Sequence, residues 1–216
     1  MTAFEGWNEI LPLEDLGKIS EQIDNQNADG MYKLAIYPPP KDIFNCFTMF
    51  HPSDLKVVII GQDPYINVGQ AMGLCFSAGN PNSKFPPSLM NIKKELSLVY
   101  DVELDKKARD LTFWAEQGIL MLNSALTVDH GNSNSHQHIW SQWTDKVVRS
   151  INNNCEGVIF VLWGNDAKAK GGFKKGKQVS SFIDIEKNYV LTSGHPSPLS
   201  YKRYFTGNGH FEEVNR

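Results

Sequence analysis

Three side chains that could carry out chemistry each follow an apolar run of the sequence. Asp63, Asn123 and His195 stand just beyond such runs, where the chain becomes polar or rich in glycine. Taken singly, an Asp before a Pro, an Asn after a strand and a His before a Pro are more often ordinary turn residues. Together they predict a site with a carboxylate, an amide and an imidazole, groups that move protons and stabilise developing charge. The set alone names no reaction.

Four apolar runs are expected to position these side chains. The runs are continuous rather than alternating, which is typical of strands buried on both faces of a parallel sheet, and they cover residues 57–60, 119–122, 158–162 and 189–191. Between them, apolar residues at helical spacing predict a helix over residues 88–100, capped by Ser88, and another over residues 140–151. This order of strands and helices is typical of an α/β domain, in which ligands bind at the carboxyl ends of the strands.

The composition indicates one compact domain and limits the classes of partner. The chain has 216 residues and is 41% hydrophobic, which suits a single domain over residues 1–216. Its net charge of −3 does not by itself predict a nucleic-acid binder. One lysine run could supply a positive surface, although such a run is more typical of a solvated loop; it consists of Lys168, Lys170, Lys174, Lys175 and Lys177.

Cysteine usage and the length of the apolar runs predict a soluble intracellular protein. The cysteines, at positions 46, 75 and 155, form no C-x-x-C pair, which is typical of reduced thiols. The first residues include Glu5 and Glu9 and no Arg, so they do not resemble a signal or transit peptide. No apolar run is long enough to cross a bilayer, and no membrane partner is expected.

Three motifs in the sequence are highly specific in combination. They are GQDPY at residues 61–65, LNSALTV at residues 122–128 and HPSPLS at residues 195–200. Together with weaker matches between residues 36 and 211, they resemble the family 1 uracil-DNA glycosylases. The resemblance implies a single-domain, three-layer α/β/α fold with a central four-stranded parallel sheet. It also implies a monofunctional hydrolase of base excision repair that releases uracil from DNA and leaves an abasic site.

The resemblance implies a role for each side chain of the predicted site. Asp63 would orient the attacking water and stabilise the cationic sugar, and His195 would donate to uracil O2 as the base departs. Asn123 would pair with N3–H and O4 of uracil, whereas cytosine presents the reverse polarity on that edge. Backbone amides near Gln62 and Asp63 would complete the contact to O2. The resemblance therefore implies a catalytic pair and a separate side chain that reads the base.

Two aromatic residues are implied to shape the uracil pocket. Tyr65 would occupy the space that the 5-methyl group of thymine needs. Phe76 would stack on the flipped uracil, although residues 74–76 are also typical of a buried strand whose side chains only pack in the core. The match of Phe76 to the family motif favours the stacking role.

Five further residues are implied to contact DNA. Because the base must leave the duplex before cleavage, Leu199 is the predicted wedge in the vacated base stack. Ser88 and Ser197 would bind phosphates, and the prolines that flank both serines would pre-shape their loops. Arg203 would contact the minor groove or a phosphate, and Ser200 is included among the DNA contacts.

Three positions depart from the usual pattern of the family. Ile66 and Met72 stand where the family usually has His, and Gly172 stands where a phosphate-binding Ser is expected. Each change removes a polar group near the site or the path of the DNA. We therefore expect weaker or differently arranged DNA contacts, with the lysine run as compensation, and little change in the base-cleavage step.

The expected partner is uracil-containing single- or double-stranded DNA, bound by a monomer. A proteinaceous glycosylase inhibitor is a further candidate partner. No cofactor is expected. No metal is expected either, because the histidines are not accompanied by Cys/His ligand spacing, and His136 matches the family as a structural residue.

Two alternatives come from other classes of protein. One is a catalytically weak DNA-binding accessory protein that retains the fold; the loss of the two family histidines favours it, whereas Asp63, Asn123 and His195 favour the enzyme. The other is an unrelated α/β hydrolase. That class needs a nucleophile such as the Ser of G-x-S-x-G, which the sequence lacks.

Overall fold

The computed structural model describes residues 4–28, 34–102, 105, 108–174, 177–180 and 182–216. Lys175, a member of the lysine run, lies outside the described residues. Within them the strands are β1 (Ile36–Tyr37), β2 (Val57–Gly61), β3 (Ile119–Asn123), β4 (Val128–Asp129), β5 (Ile159–Trp163), β6 (Phe173–Lys174), β7 (Lys177–Gln178) and β8 (Tyr189–Ser193). The α-helices are α1 (Leu16–Ala28), α2 (Pro87–Tyr100), α3 (Thr112–Ala115), α4 (Gln137–Asn154), α5 (Asn165–Lys170) and α6 (His210–Asn215).

The central sheet consists of four parallel strands in the order β3–β2–β5–β8, which confirms the four strands predicted from the apolar runs. β2, in the middle, is buried along its whole length. β8 lies at an edge and is only partly buried, with Tyr189 67% exposed. The expectation of burial on both faces is wrong for β8, whereas β3, at the other edge, is buried except at Ile119.

Helices cover both faces of this sheet and give a three-layer α/β/α fold. On one face, Val57, Ile59 and Val161 point towards α2, α3 and α6 across an apolar cavity of about 680 Å³. On the other face α4 packs against α1 and α5, and the Leu162 side chain lies against Gly171 at the end of α5. The predicted fold class is therefore confirmed, and the carboxyl ends of the strands remain open for a site.

The two predicted helices extend beyond their apolar patterns. α2 begins at Pro87, in the first turn, where the fixed φ of proline suits a helix. The prediction that Ser88 caps this helix is wrong: Ser88 lies inside the first turn, Pro86 occupies the N-cap position, and no side chain caps the helix. α4 covers residues 137–154 rather than 140–151, because its ends are largely polar. Among the described residues, no helix is both long enough and apolar enough to cross a bilayer.

Candidate active site

The carboxyl ends of the central strands surround a cavity of about 190 Å³. Asp63 follows β2, Asn123 ends β3 and His195 follows β8, and all three line this cavity. Parallel strands bring such residues to one edge although they are distant in the sequence. The structure thus brings together the carboxylate, the amide and the imidazole that the sequence predicted at one edge of the sheet. Four other predicted residues line the same cavity: Gln62, Tyr65, Phe76 and Ser88.

Asn123 is buried at the end of β3, beside the last residue of β2. The strand register pairs it with Gly61. A Cβ atom at Gly61 would lie 2.4 Å from Oδ1 of Asn123 and 2.7 Å from Cβ of Cys75, so this position requires glycine. Beyond the strands, the N–H of Ser124 donates to the carbonyl oxygen of Gly61 at 3.0 Å. The close approach of the two strand ends therefore holds the amide at the cavity wall.

The Asp63 carboxylate is held by a loop that follows β4. The hydroxyl of Ser133 and the N–H of Asn134 both donate to Oδ2 of Asp63, each at 2.7 Å. The neighbouring Gln62 donates from Nε2 to Oδ1 of Asn134 at 2.6 Å. Two adjacent residues of the GQDPY motif are thus tied to the same loop, which fixes the direction of the carboxylate.

The His195 imidazole is neutral and has a defined tautomer. Its Nδ1 accepts a hydrogen bond from the N–H of Ser197 at 3.0 Å, so the ring proton lies on Nε2. Burial lowers the pKa of His195 below its ordinary value, against the opposing effect of the Asp166 and Asp63 carboxylates. A Cβ atom at Gly164 would lie 3.0 Å from Cβ of His195, and Gly164 has a φ of +98°, so glycine is needed beside the ring.

Tyr65 and Phe76 are joined by a hydrogen bond at the side of the cavity. The Tyr65 hydroxyl donates to the carbonyl oxygen of Phe76 at 2.9 Å, and burial raises the pKa of Tyr65. Phe76 has a φ of +62°, which is rare for a bulky residue. The alternative that residues 74–76 form a buried strand is wrong, because they form a turn in which Phe76 is only partly buried. Its ring lies 5.8 Å from those of His195 and Trp163.

The HPSPLS segment forms a loop with internal hydrogen bonds and an exposed apolar tip. The Ser200 hydroxyl donates to the carbonyl oxygen of His195, and its Oγ lies 3.3 Å from Oγ of Ser197. The side-chain amide of Asn91, on α2, donates to the carbonyl oxygen of Pro196 at 2.8 Å. Leu199 is 98% exposed on this loop. The loop is therefore anchored on both sides while Leu199 projects into solvent.

The cationic residues predicted near DNA differ in their surroundings. Arg203 is exposed, and its guanidinium lies 5.0 Å from the centre of the Tyr204 ring. Lys170 is buried, with Nζ 2.9 Å from Oδ1 of Asp145 and donating to the carbonyl oxygen of Ser141 at 2.7 Å. The expectation that Lys170 contributes to a solvated positive surface is wrong, because α5 packs on α4 and encloses its ammonium group. Lys174 is exposed.

The three departures from the family pattern have different structural settings. Ile66 and Met72 both line the cavity, so part of its wall is formed by apolar side chains. Gly172 has a φ of +79°, and a Cβ atom on it would lie 2.5 Å from Oγ of Ser180 and 2.6 Å from its carbonyl oxygen. A serine at position 172 would therefore collide with the adjoining segment, so the local backbone requires glycine.

His136 has the structural role that was predicted for it. It is fully buried, with Nδ1 2.8 Å from Oγ1 of Thr127 and Nε2 3.1 Å from Oδ1 of Asp129. Burial lowers its pKa, which the Asp129 carboxylate partly offsets. Across the described ranges, no group of three or more His, Cys, Asp or Glu residues is arranged to hold a metal ion.

Sequence reasoning does not identify three residues that support the site. Trp163 ends β5 and packs on Phe76, and its position just after an apolar run was an available signal. Its Nε1–H donates to Nδ1 of His210 at 3.0 Å, which connects α6 to the ring that packs on Phe76. Asn91 and Ser133 carry no such signal, because one lies within a helix and the other within a polar loop.

The chain is similar to proteins of one family over nearly all of its length. Residues 47–216 match the model of the Uracil DNA glycosylase superfamily. The chain is 48% identical over 183 residues to the uracil-DNA glycosylase of Pseudoalteromonas translucida, an alignment that covers 84% of this chain and 79% of that protein. It is 47% identical over 220 residues to the uracil-DNA glycosylase of Vibrio campbellii, covering 100% of this chain and 92% of that protein.

Solved structures show the same architecture. The crystal structure of mimivirus uracil-DNA glycosylase superposes with a TM-score of 0.76 at 26% identity, covering 99% of this chain and 85% of that one. A variant of mimivirus UNG in complex with UGI superposes with a TM-score of 0.77 at 29% identity, covering 94% of this chain and 76% of that one. Sequence and fold therefore agree on one family.

Proposed function

The chain belongs to the uracil-DNA glycosylase superfamily, and we propose from this membership that the cavity lined by Asp63, Asn123 and His195 is where it hydrolyses the bond between uracil and deoxyribose. The protein is a uracil-DNA glycosylase, a hydrolase of N-glycosyl bonds that acts in base excision repair. The observation that carries the site assignment is the meeting at one cavity of a carboxylate, a buried amide and an imidazole whose Nδ1 accepts a hydrogen bond from the N–H of Ser197.

The carboxylate and the imidazole each stabilise one of the two charges that develop in the reaction. When the bond between C1′ and N1 breaks, its electron pair leaves with uracil and the sugar becomes cationic. Asp63 stabilises the sugar cation and orients the water whose oxygen bonds to C1′ and whose proton passes to the carboxylate. His195 donates from Nε2 to uracil O2, where the negative charge collects. No covalent intermediate with the protein is needed, so the expected product is an abasic site.

Asn123 reads the edge of the base. Its amide presents one donor and one acceptor, which match O4 and N3–H of uracil and oppose the corresponding groups of cytosine. Because the side chain is 6% exposed and Gly61 leaves it a fitted space, the amide has little freedom to turn and accept the wrong base. Backbone amides at Gln62 and Asp63 complete the contact with O2. Cytosine in normal DNA is therefore excluded by unpaired buried groups.

Tyr65 and Phe76 shape the pocket around the base. Phe76 provides the stacking surface, and the Tyr65 ring fills the space of a 5-methyl group. The hydrogen bond from the Tyr65 hydroxyl to the Phe76 carbonyl oxygen keeps the two rings in a fixed relation. Thymine is therefore excluded by shape rather than by hydrogen bonding.

The Tyr65→Ala variant is expected to release thymine. Removing the ring opens the space for a 5-methyl group, and we expect the preference for uracil over thymine to fall by roughly 10- to 100-fold. Free base released from oligonucleotides with one uracil or one thymine measures the change. Tyr65→Phe is the matched control, since it keeps the ring and loses only the hydroxyl. Thymine release by Tyr65→Phe, or none by Tyr65→Ala, would contradict steric exclusion by the ring.

The loop of residues 195–200, which is exposed at Pro198 and Leu199, opens the duplex and holds the strand. Leu199 enters the stack that the flipped nucleotide leaves, while Ser88 and Ser197 bind phosphates on either side of it. Ser200 holds the loop through the carbonyl oxygen of His195 and contacts the same strand. Arg203, exposed on the short π-helix Tyr201–Phe205 that follows, adds a positive charge near the DNA backbone.

The Leu199→Ala variant is expected to lose activity on duplex DNA and keep it on single strands. The single strand has no neighbouring stack to fill, so only the duplex rate should fall, by about tenfold. Single-turnover rates on the two substrates measure the ratio. Tyr189→Ala is a control, because Tyr189 is also exposed but lies at the opposite end of β8. Equal losses on both substrates would show that Leu199 does not act as a wedge.

The rate of uracil release is expected to stay level as pH falls from 8 to about 6.5 and to decline only below that value. Burial lowers the pKa of His195, so protonation begins at a lower pH than for an ordinary histidine. Protonation of Nδ1 would make it a donor that faces the N–H of Ser197. The hydrogen bond between these two groups, which sets the tautomer, would then be lost. Single-turnover rates at saturating enzyme measure the profile. A rate that already falls between pH 8 and 7 would contradict a neutral, partly buried imidazole.

The partners and the setting follow from the same assignment. We propose that the chain acts as a monomer on single- and double-stranded DNA inside the cell, where the free thiols of Cys46, Cys75 and Cys155 stay reduced. In the part of the chain that the structure describes, one hydrophobic cluster extends from Trp7 to Phe205, which supports a single domain over residues 1–216. A variant of mimivirus UNG forms a complex with UGI. We propose that a proteinaceous glycosylase inhibitor binds this chain too.

Product analysis tests the proposed function. The protein is incubated with a single-stranded oligonucleotide that contains one uracil, and free uracil is measured by mass spectrometry. We expect one uracil per substrate and a strand that stays intact until alkali cleaves it at the abasic site. Strand cleavage without alkali would contradict a monofunctional glycosylase. Binding without any uracil release at excess protein would instead support the accessory-protein alternative, which the family and its named members do not favour.

A further inference from the structure

The loop that follows β4 carries a serine whose hydroxyl contacts the carboxylate assigned to catalysis. Ser133 donates from Oγ to Oδ2 of Asp63 at 2.7 Å, across 70 positions of the sequence. The N–H of Asn134 donates to the same oxygen at the same distance. Both donors therefore bind the same carboxylate oxygen, and among the residues that the structure describes none donates to Oδ1, whose lone pairs are left for a group in the cavity.

This loop is itself held in place, so it can position a side chain. At its start, the N–H of Gly131 donates to the carbonyl oxygen of Ile66 at 3.0 Å, which ties the loop directly to the segment that carries Asp63. At its end, the N–H of Asp129 donates to Oγ of Ser135 at 2.8 Å, which ties the loop back to β4. The next residue, His136, is fully buried. Ser133 therefore acts from a fixed support rather than from a free loop.

We propose that Ser133 is a positioning residue for the hydrolysis. Its hydroxyl, together with the N–H of Asn134, sets the rotation of the Asp63 carboxylate so that Oδ1 faces the water and the sugar. Charge-assisted hydrogen bonds of this kind are short and directional, and two of them on one oxygen define the plane of the carboxylate. The proposal rests on the role assigned to Asp63 above. It adds a residue that directs the carboxylate and carries no charge of its own.

Replacement of Ser133 by alanine is expected to lower the single-turnover rate of uracil release by about tenfold and to change KM by less than about twofold. The backbone donor of Asn134 remains, so the carboxylate is still charged but less well oriented. Ser133→Thr keeps a hydroxyl and is expected to restore most of the rate. Asn132→Ala is the matched control: Asn132 is exposed in the same loop, and its side chain makes no hydrogen bond within the described part of the chain.

A double-mutant cycle separates positioning from a structural effect. In an Asp63→Ala background there is no carboxylate to direct, so adding Ser133→Ala is expected to change the residual rate by less than about twofold. A tenfold loss in both backgrounds, or a Ser133→Ala rate equal to that of the wild type, would overturn the proposal. An Asp63→Ala variant with nearly full activity would instead overturn the role of Asp63, so the two failures can be told apart.

Discussion

Replacement of Asp63 by asparagine is expected to lower the single-turnover rate of uracil release by about 10³-fold while leaving DNA binding nearly unchanged. The amide fills the same volume and accepts the hydrogen bonds of Ser133 and Asn134 through its oxygen. It carries no negative charge to stabilise the sugar cation and cannot take the proton of the attacking water. The loss should therefore appear in the rate of the chemical step and not in affinity.

The experiment requires excess enzyme and a substrate with one uracil. Rates are measured by quenching and alkali treatment, and affinity by anisotropy with a non-cleavable substrate analogue. Asp54→Asn is a suitable control, because Asp54 is exposed and lies at the amino-terminal side of β2, away from the cavity. An Asp63→Asn variant that keeps more than about a tenth of the wild-type rate would contradict the role given to the carboxylate.

Replacement of Asn123 by alanine is expected to lower uracil release by about 10²- to 10³-fold. The change leaves N3–H and O4 of the flipped base without their protein partner in the cavity. It also enlarges the cavity beside Gly61, so the base loses its fixed orientation towards His195. In contrast to Asp63→Asn, this variant should lose both affinity for the flipped base and rate.

The two variants can be distinguished by free uracil as a product inhibitor. Uracil should inhibit Asp63→Asn at concentrations close to those for the wild type and should inhibit Asn123→Ala only at much higher ones. Asn132→Ala again serves as the exposed control. If Asn123→Ala bound uracil as tightly as the wild-type protein, the assignment of base reading to this amide would be wrong.

Much of the site could be predicted because it lies at the carboxyl ends of strands in one parallel sheet. The strand ends follow from continuous apolar runs, and the rule for open α/β sheets brings Asp63, Asn123 and His195 to one edge without further information. Trp163 follows an apolar run in the same way, so its place at this edge of the sheet could also be predicted. The roles of these residues came only from the resemblance to a family, since position alone names no reaction.

The remaining features depend on contacts between distant segments. Ser133 is a polar loop residue like many others until the fold brings its hydroxyl to Asp63. Lys170 belongs to a polar run in the sequence, and only the packing of α5 on α4 pairs it with Asp145. The positive φ of Phe76 depends on tertiary contacts that local propensity does not describe, including the hydrogen bond from Tyr65. Such long-range contacts, rather than local propensities, decide these positions.

The discrimination between bases tests the central claim most directly, because it requires the pocket, the reading amide and the catalytic pair together. Three single-stranded oligonucleotides that differ only in one position, with uracil, cytosine or thymine, are incubated with excess wild-type protein, and the released base is identified by mass spectrometry. We predict release of uracil and no detectable cytosine or thymine. Absence of uracil release, or release of cytosine or thymine at a comparable rate, would contradict the function assigned to this cavity.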